Sequence, residues 1–334
     1  MSDNHSVGEQ ITGNKGINTV SFNCTVCGKC CNSAPLMSLP ELFHHENLFV
    51  GCLALRRVRR HNAGDIVIAA DIHYPVSTVD IQMLTDMANA QLYKPDTQKN
   101  NSEYDFLIMT QAMDYDSLNK CPALGENHHC AIHDDRKPAV CSMVPFDSLY
   151  PDSLQNIVLM SRRFGENCII SGDHDDYQVV IKDRQVVSQS YQNALNQRRN
   201  DLCLEKQWWG NAVFKLLQHE VFCNPAEVAK IPMDNGLLSF SIIPVLMVLA
   251  EVSERCNARC LQYVDSQINL IDKKVNLAIS RKSVADKQTT KEFRSFKDKY
   301  LKLRQLLVAG ELSNFSLGTK NQSRVNEVEN YLGV

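Results

Sequence analysis

This sequence has no surplus of basic charge, no long hydrophobic run and no glycine-rich phosphate loop, and each absence excludes something. Its 334 residues carry 35 Lys and Arg against 38 Asp and Glu, a net charge of -3. A chain that coats nucleic acid is usually strongly basic, so no nucleic-acid partner is expected. The longest apolar stretch, Leu237 to Ala250, is interrupted by Ser239, Ser241 and Pro244. It falls short of the roughly 20 residues a membrane helix needs, so no membrane association is expected either. Met1 to Val20 is polar, without the positively charged start and apolar run of a secretory signal. The expected location is cytoplasmic. No Gly-rich turn follows a strand in the Rossmann manner, so no conventional nucleotide-style site is visible. Global disorder is excluded as well, because 44% of the residues are hydrophobic.

The expected fold class is α+β: a loop-rich cysteine-cluster domain with short strands, followed by a mainly helical C-terminal region. We divide the chain into a flexible tail at 1–20, a metal-binding domain at 21–190 and a helical region at 191–334. Strand-like runs occur at Ile66–Ala70, Phe106–Met109 and Ile157–Met160, and a hairpin is predicted from Tyr177–Ile181 through Lys182-Asp183 into Gln185–Val187. The stretches from Cys31 to Ala70 and from Thr78 to Leu92 read as helices or loops. Near the C-terminus, Thr289-Thr290-Lys291-Glu292 has the pattern of a helix-starting capping box. Phe293, Phe296, Tyr300, Leu303 and Leu307 then form one apolar stripe at helical spacing, and Gly310 stands where a C-terminal cap belongs. Lys291, Arg294, Lys297, Lys299, Lys302 and Arg304 make the opposite face, read as solvated. The run Arg56, Arg57, Arg59 and Arg60 is read in the same way, as a solvated helix face.

What the chain has in quantity is cysteine, thirteen in all. Cys24, Cys27, Cys30 and Cys31 fall within eight positions. In a reducing compartment such clustering means metal or redox chemistry more often than disulfides. A Cys-x-x-Cys step lets two thiolates converge on one metal, and Gly28 suits the turn because it takes positive φ without strain. Consecutive side chains diverge, so Cys30 and Cys31 serve one metal only with a special local conformation; otherwise they face two metals or two irons of one cluster, or one ligates while the other is free. A second group follows at Cys121, Cys130 and Cys141. One four-thiolate and one three-thiolate site would use all seven, the remaining position falling to Cys52, Cys168, a histidine or an open site. His128, His129 and His133 flank Cys130, whereas His44, His45 and His61 carry less signal. Asp173-His174-Asp175-Asp176 lacks calcium-loop spacing and reads as a polar turn. Cys203, Cys223, Cys256 and Cys260 are assigned to packing. Thiolates suit both zinc and an iron–sulfur cluster, so the residues alone leave that choice open.

These residues resemble the CxxCxxCC cysteine-cluster family of zinc- or iron-chelating domain proteins. The first mark is Cys24, Cys27, Cys30 and Cys31; the second is Cys121-Pro122-Ala123-Leu124. The third, Cys-x-Ile-Tyr-x-x-Arg-Pro-x-x-Cys, is matched from Cys130 to Cys141, with His133 in place of Tyr and Lys137 inserted before Pro138. The resemblance covers about residues 22 to 147 and implies a metal centre on Cys24, Cys27, Cys30, Cys31, Cys121, Cys130 and Cys141. One relative in that family, flagellin lysine N-methylase, implies an alternative: an iron–sulfur enzyme that uses S-adenosylmethionine to modify a protein substrate.

Overall fold

In a computed structural model, the chain is described at residues 19–69, 72–94, 103–161, 168–233, 236–311 and 322–334. The elements run β1 (Thr19–Phe22), α1 (Leu39–His44), β2 (Val50–Arg59), β3 (Ile66–Ala69), β4 (Ile72–Pro75), α2 (Thr78–Gln91) and β5 (Tyr104–Met113). Next come α3 (Ala139–Ser142), α4 (Gln155–Ser161), β6 (Ile169–Ser171), β7 (Gln178–Lys182), β8 (Gln185–Val186) and α5 (Gln189–Glu205). The chain ends with α6 (Asn211–Leu217), α7 (Pro225–Lys230), β9 (Leu238–Ser241), α8 (Ile243–Ala250), α9 (Glu254–Arg281), α10 (Asp286–Ala309) and α11 (Gln322–Leu332). The fold class is α+β, with three small antiparallel sheets and a mainly helical C-terminal region. Of the expected tail, residues 1–18 lie outside the described residues, while Thr19 and Val20 already belong to β1.

Two sheets matter for the site. The first has the order β5-β2-β9, so β2 is hydrogen-bonded along both edges. Val50 to Leu55 is buried without alternation, as expected of a central strand covered on both faces. This corrects the helix-or-loop reading of that stretch, and with it the arginine face. Arg56, Arg57 and Arg59 end a strand: Arg57 Nε donates to the Ile231 carbonyl at 2.8 Å, while the guanidinium lies over the Tyr104 ring. Beyond the strand, Arg60 grips Asp105 with two nitrogens, at 2.5 and 3.1 Å. The apolar run from Leu237 divides into β9 and α8, with Pro244 in the first turn of α8, where its missing N–H costs nothing.

The second sheet has the order β6-β1-β7-β8 and contains the predicted hairpin as β7 and β8. In it β1 pairs antiparallel with β6, Phe22 facing Ile169. The run Ile157–Met160 forms α4 rather than a strand. All six residues from Gln155 to Met160 are buried, and a short apolar run buried all round carries no period to separate helix from strand. Of the stretch Thr78–Leu92, Thr78–Gln91 does form α2, capped by Ser77 and Asp80.

Two main cores result. The larger gathers α1, β2, β5, α8, α9, α10 and α11; the smaller lies on the second sheet and includes Phe22, Met143, Phe146, Cys168 and Val180. The predicted stripe of α10 is buried in the larger core, and Gly310 closes the helix with φ +67. The helix begins at Asp286, one turn before the predicted Thr289. The Asp286 carboxylate takes both the Ser117 hydroxyl and the Arg281 guanidinium there. Most of the basic face is solvated as expected, but Lys297 reaches Asp272 at 2.6 Å and Arg304 reaches Asp265 at 2.7 Å, both on α9. Cys256 and Cys260 are fully buried on α9, as assigned. Cys203 is half-buried, and Cys223 is exposed, so packing does not account for it. No described helix is long and apolar enough to cross a membrane.

Candidate metal centre

The first cysteine segment leaves β1 at Phe22 and turns sharply. Val26 and Gly28 both adopt positive φ, 53° and 72°, and the Cys31 amide donates to the Gly28 carbonyl at 2.9 Å. Glycine is needed at 28. A Cβ there would sit 3.2 Å from His128 Nδ1 and from a Leu124 methyl, in a backbone conformation that L side chains rarely adopt. The turn leaves Cys24, Cys27, Cys30 and Cys31 at least partly exposed, with the sulfurs of Cys30 and Cys31 3.9 Å apart.

The second segment is tied to the first by backbone. The Cys121 amide donates to the Cys31 carbonyl at 2.8 Å, and a tight loop returns through a bridge between Leu124 and Cys130. Ala131 N to Ala123 O, 2.7 Å, closes that loop and sets Cys130 beside Cys121. Cys141 joins them from α3. The mutual effects of the thiols accord with this proximity. Burial raises the Cys121 thiol, and Cys130 raises it further. Burial, then Cys121, pushes Cys141 up to about 12, with Cys130 adding to it. Cys31 is raised by its contact with Cys30 and by burial, and Cys141 and Cys121 add to that. Cys31, Cys121, Cys130 and Cys141 therefore make one candidate group.

The remaining three matched cysteines have a fourth companion. Continuing the β1–β6 pairing beyond Phe22 and Ile169, the Asn23 amide donates to the Cys168 carbonyl at 3.0 Å. Cys168 is 6% exposed; burial raises its thiol, and Cys27, Cys30 and Cys24 raise it further. Cys24, Cys27, Cys30 and Cys168 make a second candidate group. Each group borders a different core: Cys168 belongs to the smaller one, Cys121 to the larger. The Cys30-Cys31 step is where they meet. Contact with Cys31 lowers the Cys30 thiol, and Lys137 contributes in the same direction to both Cys30 and Cys141.

Other candidates fall away from this cluster. Cys52 is fully buried in β2, its thiol pushed up to about 12 by burial near Tyr263 and Tyr300. It is not the eighth thiolate. His133 is exposed and lies 2.9 Å from Asp134. Asp173–Asp176 is a turn, as expected, with His174 against the Ser171 carbonyl. His128 lines an open cleft of about 770 Å³ together with Cys27, Gly28, Lys29, Lys120 and Glu126. The donor chemistry of both groups fits a thiophilic metal, since each offers four sulfurs and no competing hard ligand set. Among the described residues, neither cysteine set has three sulfurs within 4.8 Å of one another, so neither is gathered around one metal position.

Cys168 was legible only as one of several alternatives, because its signal is strand pairing rather than local spacing. Against known proteins, the chain matches no family model, no curated protein and no solved structure.

Proposed function

We propose that this is a metal-binding protein with two four-thiolate centres, one on Cys24, Cys27, Cys30 and Cys168 and the other on Cys31, Cys121, Cys130 and Cys141. What supports the reading is the backbone that joins the segments: the Cys121 amide donates to the Cys31 carbonyl and the Asn23 amide donates to the Cys168 carbonyl, which brings both later segments to the first cysteine turn. Thiolates suit zinc and iron–sulfur clusters alike, so metal and sulfide content decides between them. Four protein sulfurs per centre leave no open position, which is the arrangement of a structural or electron-carrying site. Such a centre would supply a thiolate-bound metal, zinc or iron–sulfur; the chain's own part is to hold the sulfurs at the ends of two separately built cores and to keep water from Cys121 and Cys168 by burial.

A second reading, a protein-modifying enzyme that uses S-adenosylmethionine, draws support from the open cleft beside Cys27, where Lys29 and Lys120 offer positive charge. The complete sulfur sets speak against a donor bound directly to iron. Anaerobic purification with iron, zinc and sulfide quantification separates these. A brown protein whose spectrum ignores S-adenosylmethionine supports the first reading; a spectral change on adding it supports the second. A chain without metal, purified anaerobically and after cluster reconstitution, overturns both.

A further inference from the structure

Away from the thiolates, α1 ends in two adjacent histidines, and both approach the loop that precedes Cys141. His44 Nε2 lies 2.9 Å from Asp135 Oδ1, and the rings of His44 and His45 meet edge to face at 4.6 Å. His44, His45 and Asp135 each offer a ligand atom within 4.8 Å of the other two. His45 is only 6% exposed, and its Nε2 lies 3.2 Å from the Arg136 carbonyl. An imidazole N–H held by a backbone carbonyl is the usual outer support of a metal-bound histidine, since it fixes the tautomer and leaves the other nitrogen its lone pair.

The two segments are 91 residues apart and are locked together independently of any ion. Glu41 is the strut: one carboxylate oxygen accepts from the Ser38 amide at 2.7 Å, capping α1, and the other accepts from the Ala139 amide at 2.7 Å. The three donors are thus placed before anything binds, which lowers the ordering cost of binding. Two imidazoles and one carboxylate are a borderline donor set, suited to zinc, cobalt, nickel or ferrous iron and poor for calcium or magnesium. Side-chain exposures of 29% for His44 and 66% for Asp135 leave room for water in the remaining position.

We propose that His44, His45 and Asp135 bind a divalent cation of the zinc class, with water completing its shell, at a site separate from the thiolate centres. The cation pins α1 to the Asp134–Lys137 loop and thereby to the segment carrying Cys141.

Cobalt is the probe, added to the full chain purified with its thiolate metal in place. The expected result is one further Co²⁺ per chain, with visible ligand-field bands and no intense sulfur-to-cobalt charge transfer, and with no competition from excess Mg²⁺. His44→Gln and Asp135→Asn, both at exposed positions, are each expected to weaken that binding by about tenfold or more while leaving thiolate metal unchanged. His133→Gln, which removes the neighbouring exposed His–Asp pair, is expected to leave it unchanged. The proposal is overturned if no further Co²⁺ binds, if H44Q and D135N bind it as the parent does, or if it binds only with sulfur charge transfer. Because the readout is nitrogen and oxygen ligation, it also works on a chain whose thiolates hold no metal: the parent-minus-H44Q difference spectrum then carries the test. Failure of the thiolate reading is seen separately, in the metal content before cobalt is added.

Discussion

Glu205 closes α5 in the interior, 2% exposed, and holds two distant pieces of chain. Its Oε1 accepts from the Leu39 amide at 2.7 Å, at the start of α1, and from the Tyr331 hydroxyl at 2.6 Å, on α11. Burial pushes its carboxyl up to about 7, partly offset by Arg198. Because the folded value lies above the unfolded one, the contribution to stability is complete below about pH 4.5 and is lost as pH rises toward 7. The loss is about 3 kcal/mol for this group, since each tenfold change in proton affinity is worth about 1.4 kcal/mol. Asp201, raised to about 6 by burial, adds a slope of the same sign. Glu205→Gln keeps an oxygen acceptor for both donors and removes the titration. Urea denaturation of both proteins at several pH values between about 5 and 8 reads the effect, and any proton release at the thiolates is common to the pair. We predict that the stability difference, variant minus parent, rises by about 2.5 kcal/mol across that range. A difference independent of pH would refute the buried, protonatable role of Glu205.

Three further outcomes follow from the packing and the site. Cys52→Ser places a hydroxyl at a fully buried position of β2, and is expected to cost about 1–3 kcal/mol in chemical denaturation while leaving metal content unchanged. Gly28→Ala forces a side chain into positive φ against His128 and Leu124; metal analysis should show reduced occupancy of the Cys24-Cys27-Cys30-Cys168 group, with backbone strain of about 1–3 kcal/mol. Phe293→Ala empties a fully buried site between α10 and the Tyr115 ring, and thermal or urea unfolding should report a loss of about 3–5 kcal/mol.

Where a residue's environment repeats along its own element, the sequence was readable. The stripe of α10 has one buried face and one wet one, so period alone places it, while the β7–β8 hairpin is legible from strand-forming runs on either side of the Lys182-Asp183 turn. β2 and α4 were misread for the opposite reason: both are buried on all sides, and an unbroken apolar run has no period to report. The seven clustered cysteines announced themselves by local spacing. Cys168 did not, because it reaches Cys24 through antiparallel pairing of β1 with β6, a strand far along the chain. His45 and Asp135 are likewise brought together by Glu41 bridging two segments, and no short-range pattern encodes that.

The central claim is that eight cysteines form two independent sets of four, one completed by Cys168 and the other by Cys141. Metal and sulfide content of the anaerobically purified protein, compared with Cys168→Ser and Cys130→Ser, tests it most directly. The account predicts that each variant loses one centre's metal and keeps the other's. Full metal retention by Cys168→Ser, or loss of all metal from either variant alone, would contradict it.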